Sequence, residues 1–491
     1  MKIAGFVMYF HFPLSRKYPP LKIPITFAIA ERWGSKGGYR ELLVTAVPLI
    51  LSTGTWSLQT FIDRMFLAWY SPQAIAASMP ASLLQFTIMS VFIGTCSYAG
   101  TFVAQYYGAN LHSRIGKVMW QGLYLAIAGG VVVALFYPLA PLLFKNIGHA
   151  PDLQPLEISF FQILCLGSLG PIASGVLSGY FSGLGKNWPV MWANVIATLI
   201  NIVLDYLMIF GHAGFPEMGI AGAAWATDIA GLFPVIFYLV LILSPANEQR
   251  FATRSAWRPD PKLLKRLLMF GLPSGIQFFI DVAGFSLFLL VIGRLGMTQL
   301  AATNIAFNIN TVAFMPMMGT GIAISMLVGQ YCGDNKPDLA QRSVYSGFHL
   351  TFLYMTIIAA SYVFLPQAYI WFFSHNADPA AFGPIATLTK TLLKFVALYC
   401  LFDTMTIVFS MAVKGAGDTK FVMTMMVLLS VCVLVIPSFI AIVIFHRGIY
   451  TAWVIGTSYI IICGFAFLVR FLSGAWKTMS VIEDHEKLLR E

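Results

Sequence analysis

Long apolar stretches separated by short polar breaks dominate the chain. A run of roughly 20 apolar residues is long enough for a helix to cross the hydrocarbon core of a bilayer. Twelve such runs occur, at approximately 42–70, 74–104, 117–144, 157–184, 188–211, 219–243, 265–294, 299–330, 343–373, 384–413, 421–445 and 450–472. The pattern predicts an all-α polytopic membrane protein with twelve transmembrane helices.

One connection between the predicted spans differs from the others. Most breaks are short turns, such as Tyr-Ser-Pro at 70–72, whereas residues 244–264 form a longer segment with several basic residues. We interpret this segment as a linker between two halves. The predicted organisation is an N-terminal extension (1–40), an N-terminal six-helix lobe (41–243), the linker (244–264), a C-terminal six-helix lobe (265–475) and a tail (476–491).

Composition supports a membrane protein and provides no metal or disulfide framework. The chain is 58% hydrophobic and 10% charged, with a mean hydropathy of +0.78, whereas soluble domains carry roughly 25% charged residues. The six cysteines form no CxxC pair, and no histidines have the spacing of metal ligands. We therefore expect neither structural disulfides nor a zinc site.

The distribution of basic residues predicts the orientation in the membrane. The side with both termini and the linker receives 24 of the 30 lysines and arginines, and cytoplasmic loops carry such an excess. Both termini are predicted to be cytoplasmic, in a multi-pass protein of the inner or plasma membrane. This bias explains the net charge of +10 without a nucleic-acid partner. The first 40 residues begin with an apolar stretch that is too short to span, and we interpret them as a cytoplasmic or interfacial extension.

An internal repeat relates the two predicted halves. A shift of 225 residues aligns the following pairs without a gap: Pro48 with Pro273, Gly94-Thr95 with Gly319-Thr320, Gln105-Tyr106 with Gln330-Tyr331, Gly108 with Gly333, and Asn110 with Asn335. A shift of 232 then aligns Gly183 and Gly185 with Gly415 and Gly417. Six helices per half give parallel repeats about an axis along the membrane normal, and such transporters bind substrate between their halves.

Five aspartates fall within or near the ends of the apolar spans: Asp63, Asp205, Asp228, Asp281 and Asp403. A charge at the centre of a spanning helix costs roughly 2.5–3.5 kcal/mol on insertion scales, so such residues usually have a function. We expect a functional role for four of them. Asp228 lies near the start of span six, and structural capping or packing explains it better.

Several stretches resemble a known transporter family. They are "GLPSGIQFFID" (271–281), "GRLGMTQLAATNIAFNI" (293–309), "MLVGQYCGDN" (326–335), "FDTMTIVFSMAVKGAGDTK" (402–420), "NIVLDYLMIFG" (201–211) and "MGIAGAAWAT" (218–227). In their order and spacing along the chain they resemble the multidrug and toxic compound extrusion (MATE) family, in particular its NorM-like members. The larger superfamily also contains lipid-linked oligosaccharide flippases.

The resemblance implies a cation site in the C-terminal lobe. Asp281 and Asp403 match acidic positions of this site, the first of which is more often Glu in the family. Tyr399 matches a site tyrosine of sodium-coupled relatives and lies one turn before Asp403 on the same helix face. The hard oxygens of both aspartates suit Na⁺ or a proton, so these two residues are the candidate Na⁺ ligands.

A second cation site is implied in the N-terminal lobe. Its members are Asp63, Asn201 and Asp205, with Thr227 as a weaker member. Asn201 and Asp205 are four residues apart and therefore point the same way from span five. The resemblance couples this site to a bend of the first helix near Pro48. Pro48 and its repeat partner Pro273 are the hinge candidates. Either lobe could carry the working site.

A buried carboxylate can be neutralised by a proton, by Na⁺ or by an organic cation, and mutually exclusive occupancy gives antiport. The sequence thus predicts a secondary multidrug exporter that exchanges small organic cations for Na⁺ or H⁺, works as a monomer in the lipid bilayer and needs no other cofactor. Abundant aromatic side chains could provide cation–π contacts.

Other functions fit the sequence less well. Histidines are isolated and no Walker loop is present, which argues against an enzyme or an ATP-driven pump. A flippase for lipid-linked oligosaccharides or peptidoglycan precursors is the alternative, although it would line its cavity with several arginines. The structural explanation for Asp281 and Asp403 is pairing with a distant base such as Lys390 or Lys394. We also expect Asp418 to cap span eleven.

Overall fold

The computed structural model of the chain describes residues 32–374 and 379–483. Within these ranges no strand occurs, and twelve helices are long and apolar enough to span a membrane. In chain order they are α1 (Tyr39–Tyr70), α2 (Pro72–Gly108), α3 (Ser113–Ile147), α4 (Gln154–Gly183), α5 (Trp188–Phe210), α6 (Ile220–Ile242), α7 (Pro261–Gly293), α8 (Met297–Gly333), α9 (Pro337–Phe364), α10 (Phe382–Ala416), α11 (Thr419–Ile444) and α12 (Ile449–Leu472). The predicted all-α polytopic architecture with twelve spans is confirmed. The predicted extension before residue 32 and the predicted tail after residue 483 lie outside the described residues.

Local sequence signals explain where individual helices begin. The Ser71 side chain accepts a hydrogen bond from the backbone N–H of Ala74 (3.0 Å), and Pro72 follows as the first residue of α2. Asp260 similarly accepts from the N–H of Lys262 and of Leu263 ahead of α7. These side chains satisfy N–H groups that have no partner within the helix, and a first-turn proline has no N–H to satisfy.

The linker between the halves folds against α3. The indole N–H of Trp120 donates to the carbonyl of Thr253 (2.7 Å), and the Gln121 amide donates to the carbonyl of Arg258 (3.2 Å). Within the linker, backbone N–H donation from Arg254 lowers the pKa of the Glu248 carboxyl. We call this end of the bundle the linker side and the opposite end the outer side.

The internal repeat is visible in packing and in backbone conformation. Helix α1 packs against α5, and its repeat partner α7 packs in the same way against α11. Between the halves, α1 contacts α8 and, reciprocally, α7 contacts α2. The aligned residues Asn110 and Asn335 both have left-handed conformations, with φ of 60° and 54°. The chain therefore forms two pseudo-symmetric six-helix lobes, as predicted.

The repeated Gln-Tyr-x-Gly motifs of α2 and α8 cross each other on the linker side. A Cβ atom on Gly108 would overlap the backbone carbonyl of Gln330, and one on Gly333 would overlap that of Gln105. The Gln105 amide donates across the crossing to the carbonyl of Gly415 (3.1 Å), and the Gln330 amide donates to that of Gly183 (2.8 Å). The glycines thus allow the two lobes to meet backbone against backbone.

Further contacts between the lobes continue towards the middle of the bundle. The Thr53 hydroxyl of α1 donates to the carbonyl of Met315 in α8 (3.1 Å), and the rings of Phe86 and Phe278 meet edge to face at 5.9 Å. These contacts lie near the middle of their helices. Together with the crossing of α2 and α8, they show that the lobes are joined from the linker side to about the middle of the bundle.

The residues after α12 cover the junction on the linker side. Trp476 and Val481 are fully buried. The N–H of Val481 donates to Gln105 Oε1 of the N-terminal lobe (2.8 Å), and its carbonyl accepts from Arg266 Nε of the C-terminal lobe (2.7 Å). Arg266 Nη2 also donates to the carbonyl of Ile482 (2.6 Å). This short segment bridges the two lobes.

The prolines occupy two kinds of helical environment. Pro48 and Pro273 lie inside α1 and α7, which remain helical through them. Around Pro437, by contrast, α11 contains π-helical turns at Ser430–Val435 and Ile440–Ile444. Proline lacks the N–H that continues the α-helical hydrogen-bond pattern, which favours such irregular turns. The hinge role of Pro48 and Pro273 stays a prediction.

Candidate functional site

The N-lobe cluster consists of Asp63, Asn201 and Asp205, which the packing of α1 against α5 brings together. Asn201 and Asp205 are completely buried and lie one helical turn apart on α5. The carboxyl groups of Asp63 and Asp205 lie within hydrogen-bonding range of each other. Two ionised carboxylates are both acceptors, so a hydrogen bond between them requires one proton on the pair.

Polar atoms of this cluster are buried without a protein partner. With both carboxyl groups ionised, Asp63 Oδ1, both carboxylate oxygens of Asp205 and both amide atoms of Asn201 have no hydrogen-bond partner among the described residues. Buried polar atoms are nearly always paired in proteins. A proton or a small cation between the carboxyl groups would satisfy several of these atoms at once.

Two further N-lobe residues have separate local partners. The hydroxyl of Thr227 donates to the carbonyl of Ala223 in its own helix (2.9 Å), a common use of threonine within helices. The Asp228 carboxyl group interacts with the backbone of Gly167, at the break between the two segments of α4, although Asp228 Oδ2 has no hydrogen-bond partner among the described residues. A Cβ on Gly167 would overlap the Asp228 carboxyl group, which favours the structural explanation of Asp228.

The C-lobe cluster consists of Asp281, Tyr399 and Asp403. Asp281 lies on α7, and the other two lie one turn apart on α10. Asp281 Oδ2 accepts a hydrogen bond from the side chain of Gln277 (2.8 Å), while Asp281 Oδ1 has no partner among the described residues. The Asp403 carboxyl group interacts electrostatically with both Asp281 and Tyr399.

Lys414 lies inside the bundle close to the C-lobe cluster, and not in a loop as the sequence indicated. The apolar run of span ten ends at residue 413, so the sequence places Lys414 just beyond the predicted span, on the linker side. The helix continues to Ala416, and the half-buried Lys414 side chain points inward, where Nζ donates to Gln277 Oε1 (2.9 Å). The base that interacts with Asp281 is therefore Lys414, not the Lys390 or Lys394 of the structural explanation.

Two neighbours of the C-lobe cluster were missed by sequence reasoning. Asn310 of α8 is buried, and its amide donates to the hydroxyl of Tyr399 (3.1 Å), which leaves Asn310 Oδ1 without a partner among the described residues. Tyr459 of α12 interacts electrostatically with both Asp281 and Asp403. A polar amide in the middle of an apolar span was a usable signal for Asn310. Tyrosine in an apolar span gave no comparable signal for Tyr459.

The candidate Na⁺ ligands can be compared with the donor set around them. No group of three or more His, Cys, Asp or Glu side chains that could hold a metal gathers within residues 32–374 and 379–483. The C-lobe cluster instead combines two carboxyl groups with neutral oxygens of Tyr399 and Asn310. Oxygen-only donors suit a hard monovalent cation, so the residues present fit the predicted ion.

Asp418 has a different partner from the predicted one. It occupies the N-cap position of α11, but its side chain makes no capping hydrogen bond. Both Nε and Nη2 of Arg470 donate to Asp418 Oδ2 instead, at 2.7 and 2.6 Å. The capping prediction was wrong because a charged guanidinium from α12 competes successfully for the carboxylate.

Comparison with curated proteins finds relatives across most of the chain. "Probable multidrug resistance protein NorM" from Pseudomonas putida is 30% identical over 384 residues, covering 78% of this chain and 82% of the relative. The protein of the same name from Thermotoga maritima is 26% identical over 451 residues, covering 90% and 94%. That from Shewanella oneidensis is 28% identical over 388 residues, covering 78% and 82%.

Solved structures with the same fold are also found. One is described as "Outward-facing conformation of a multidrug resistance MATE family transporter of the MOP superfamily"; it has a TM-score of 0.82 and 17% identity, and covers 93% of this chain and 99% of that one. Another, "Reverse polarity of binding pocket suggests different function of a MOP superfamily transporter from Pyrococcus furiosus Vc1 (DSM3638)", has a TM-score of 0.80 and 19% identity, covering 92% and 99%. At this identity they support the fold alone.

The family model MatE matches residues 48–207 and 273–440, one segment in each lobe. Together the two segments cover more than half of the chain. Members of this family are transporters rather than enzymes. The chain therefore belongs to the multidrug and toxic compound extrusion (MATE) family.

Proposed function

We propose that this protein is a secondary active multidrug exporter of the inner membrane, which exchanges small organic cations for Na⁺ or H⁺. The names of its relatives, multidrug resistance proteins from several bacteria, support export of small organic compounds and do not favour the flippase. The observation that carries the exchange mechanism is the N-lobe cluster. There Asp63 Oδ1, both carboxylate oxygens of Asp205 and the Asn201 amide are buried without a hydrogen-bond partner among the described residues when both carboxyl groups are ionised.

Charge balance explains how such a cluster would couple entry of the ion to export of the organic cation. A buried, unpaired carboxylate is costly, so each cluster is most stable when it holds a proton, Na⁺ or a cationic cargo. If only one of these can be held at a time, entry of the ion promotes release of the cargo. Each charge that moves down a membrane potential of 100 mV supplies about 2.3 kcal/mol for this exchange.

The fold supplies the route for alternating access. The lobes meet through the crossed glycine motifs on the linker side, so that opening to that side requires the lobes to separate there. With the linker and both termini in the cytoplasm, this arrangement corresponds to a carrier closed towards the cell interior. Rocking of the lobes would expose the clusters to each side in turn. The transporter would act as a monomer.

Transport in proteoliposomes tests this proposal. We expect export of a fluorescent organic cation only when an inward Na⁺ or pH gradient is imposed, and comparison of the two gradients identifies the coupling ion. Asp281→Asn and Asp403→Asn should each reduce gradient-driven export by at least about tenfold, a change of roughly 1.4 kcal/mol. Asp228→Asn is the matched control, because it removes a buried carboxylate that contacts Gly167 instead of a cluster. Gradient-driven export at the wild-type rate by both Asp281→Asn and Asp403→Asn would refute the assignment of the C-lobe cluster.

A further inference from the structure

The side chain of Lys414 brings a positive charge to the C-lobe cluster. Its ammonium group donates to Gln277 Oε1 at 2.9 Å, and the same amide donates through Nε2 to Asp281 Oδ2 at 2.8 Å. The lysine makes no salt bridge within 4.0 Å to a carboxylate among the described residues. It therefore acts on Asp281 through a single intervening amide.

The bridging amide has an orientation determined by the charges on either side. Gln277 and Asp281 are four residues apart on α7 and share one helix face. An amide oxygen is an acceptor and its nitrogen is a donor, so the oxygen faces the ammonium group and the nitrogen faces the carboxylate. Both hydrogen bonds are charge-assisted, a class that is stronger than bonds between neutral groups.

The N-lobe has no lysine at the corresponding place. The 232-residue shift that aligns Gly183 with Gly415 aligns Lys414 with Ser182. Ser182 is buried and carries no charge. The two clusters have the same number of carboxyl groups but different neighbouring bases. Lys414 reaches the C-lobe cluster through the Gln277 amide, whereas in the N-lobe Arg64 interacts electrostatically with the adjacent Asp63.

We propose that Lys414 is a specificity-determining residue, which limits the C-lobe cluster to one monovalent cation at a time. Two ionised aspartates and the tethered ammonium group leave one negative charge, which a single monovalent guest neutralises. A divalent cation would leave an excess positive charge in a poorly solvated site, and this is unfavourable. The inference rests on the proposed cation exchange.

The alternative explanation of Lys414 is mechanical anchoring of the end of α10. The backbone already provides such an anchor, because the Tyr98 hydroxyl of the opposite lobe donates to the Lys414 carbonyl at 2.7 Å. Replacing the side chain leaves this contact in place. Lys414→Gln therefore separates the charge of the side chain from the anchoring of the helix, and Lys414→Arg keeps the charge.

Binding of two probes to the purified protein tests the proposal. Isothermal titration calorimetry would give Kd for tetraphenylphosphonium, with one positive charge, and for methyl viologen, with two. Compared with the wild type, Lys414→Gln should lower the Kd of methyl viologen relative to that of tetraphenylphosphonium on the order of tenfold. This is the size expected for one nearby charge in a protein environment. Lys414→Arg should keep the wild-type ratio. Lys414→Gln combined with Asp281→Asn, which restores the net charge, should bring the ratio back.

The outcomes separate this inference from the proposed function. A Lys414→Gln protein that binds both probes with the wild-type ratio would overturn the role of Lys414 and leave cation exchange intact. The same holds if Lys414→Arg shifts the ratio as strongly as Lys414→Gln, since charge would then not be the cause. A wild-type protein that binds neither probe would overturn the proposed export of organic cations together with this inference. If Lys414→Gln does not fold, Lys414→Met removes the same charge with an unbranched apolar side chain, and its Kd ratio is compared with that of Lys414→Arg; a wild-type ratio in Lys414→Met would likewise overturn the role of Lys414.

Discussion

At the scale of single residues, the carboxyl groups of the two clusters have different hydrogen-bond partners. In the N-lobe cluster, Asp63 and Asp205 face each other; Arg64 interacts electrostatically with Asp63, and neither carboxylate has a salt bridge within the part of the chain that the structure describes. In the C-lobe cluster, the Gln277 amide occupies one oxygen of Asp281 and in turn accepts a hydrogen bond from Lys414. The first arrangement needs an added proton or cation to be satisfied, whereas the second is already partly compensated by the protein.

Neutralising either N-lobe aspartate should therefore impair coupling. In Asp63→Asn and Asp205→Asn the remaining carboxyl group can bond to the new amide without a guest cation, so its need for a proton or Na⁺ falls. We expect gradient-driven export to decrease at least about tenfold, or roughly 1.4 kcal/mol, in proteoliposomes with equal amounts of inserted protein. Retention of full export by both variants would show that the N-lobe cluster is not used for coupling.

The members of each cluster were predictable to different degrees. Asn201 and Asp205 are brought together by helix periodicity alone, so the sequence indicated their shared face. Lys414 and Asn310 reach the C-lobe cluster through the rotation and length of separate helices, which local sequence does not encode. Thr227 illustrates the same limit, because its own helix provides a closer acceptor. The functional assignments of both clusters stay predictions.

At the scale of elements, a charged pair connects the start of α11 with α12. Arg470 donates twice to the nearly buried Asp418, and its guanidinium also lies 4.7 Å from the ring centroid of Phe421. A second pair, Lys477 with Asp338, spans 3.2 Å, but its aspartate is 93% exposed. Burial distinguishes these two pairs more than distance does.

Loss of the buried pair should be measurable as lost stability. Arg470→Gln leaves the Asp418 carboxylate with weaker donors, and we expect the free energy of unfolding to fall by about 2 kcal/mol. Lys477→Gln removes an exposed pair and should change it by less than about 0.5 kcal/mol. Thermal melting of both variants in the same detergent compares them. Equal melting temperatures of the two variants would contradict this ranking.

The crossing of α2 and α8 gives a prediction about conformation. Gly108→Ala places a methyl group against the Gln330 carbonyl, and overpacking of this kind typically costs about 1–3 kcal/mol. The cost applies only while the lobes are joined on the linker side. A larger fraction of the molecules should therefore adopt the conformation in which the lobes are separated on that side. Spin labels at positions 69 and 297, near the outer ends of α1 and α8, should report a shorter distance as the outer side closes.

A glycine in open space provides the control for this experiment. Gly54 lies in α1, and a Cβ atom there would meet no other atom within 4 Å. Gly54→Ala should leave the distance distribution between the two labels unchanged. If Gly108→Ala also leaves it unchanged, the crossing is more compliant than its packing suggests.

Element bounds followed from the sequence more reliably than element contacts. All twelve spans were located because a membrane-crossing run is long, apolar and bounded by polar residues. The sequence did not locate the end of α9 at Phe364, since span nine was predicted to continue to residue 373 and a separate helix, Pro366–Ser374, follows. It also did not locate the irregular turns around Pro437 or the continuation of α10 past residue 413. These features depend on hydrogen bonds and packing within the bundle, not on average hydropathy.

At the scale of the whole molecule, orientation in the membrane is the main property that awaits measurement. The excess of lysine and arginine on the linker side predicts that this side is cytoplasmic. Exposed positions are available on both sides, with Ser255 in the linker and Ala150 between α3 and α4 on the outer side. Single cysteines at these positions can therefore report on sidedness.

A membrane-impermeant maleimide provides the measurement. In a Cys432→Ser background, which removes the exposed native cysteine, intact cells should label Ala150→Cys strongly and Ser255→Cys only after the membrane is permeabilised. The predicted orientation would be wrong if, in intact cells, the reagent labels Ser255→Cys and does not label Ala150→Cys. The lobe assignment itself would be unaffected.

The segment after α12 has a practical consequence for anyone expressing this protein. Val481 and Ile482 supply backbone partners to Gln105 and Arg266 in opposite lobes. A protein shortened at residue 478 would lose these partners, although all twelve spans would remain intact. An affinity tag should therefore be added after residue 483 and should not replace the last residues. A truncated protein would still contain every membrane-spanning helix, but the contacts that join its two lobes on the linker side would change.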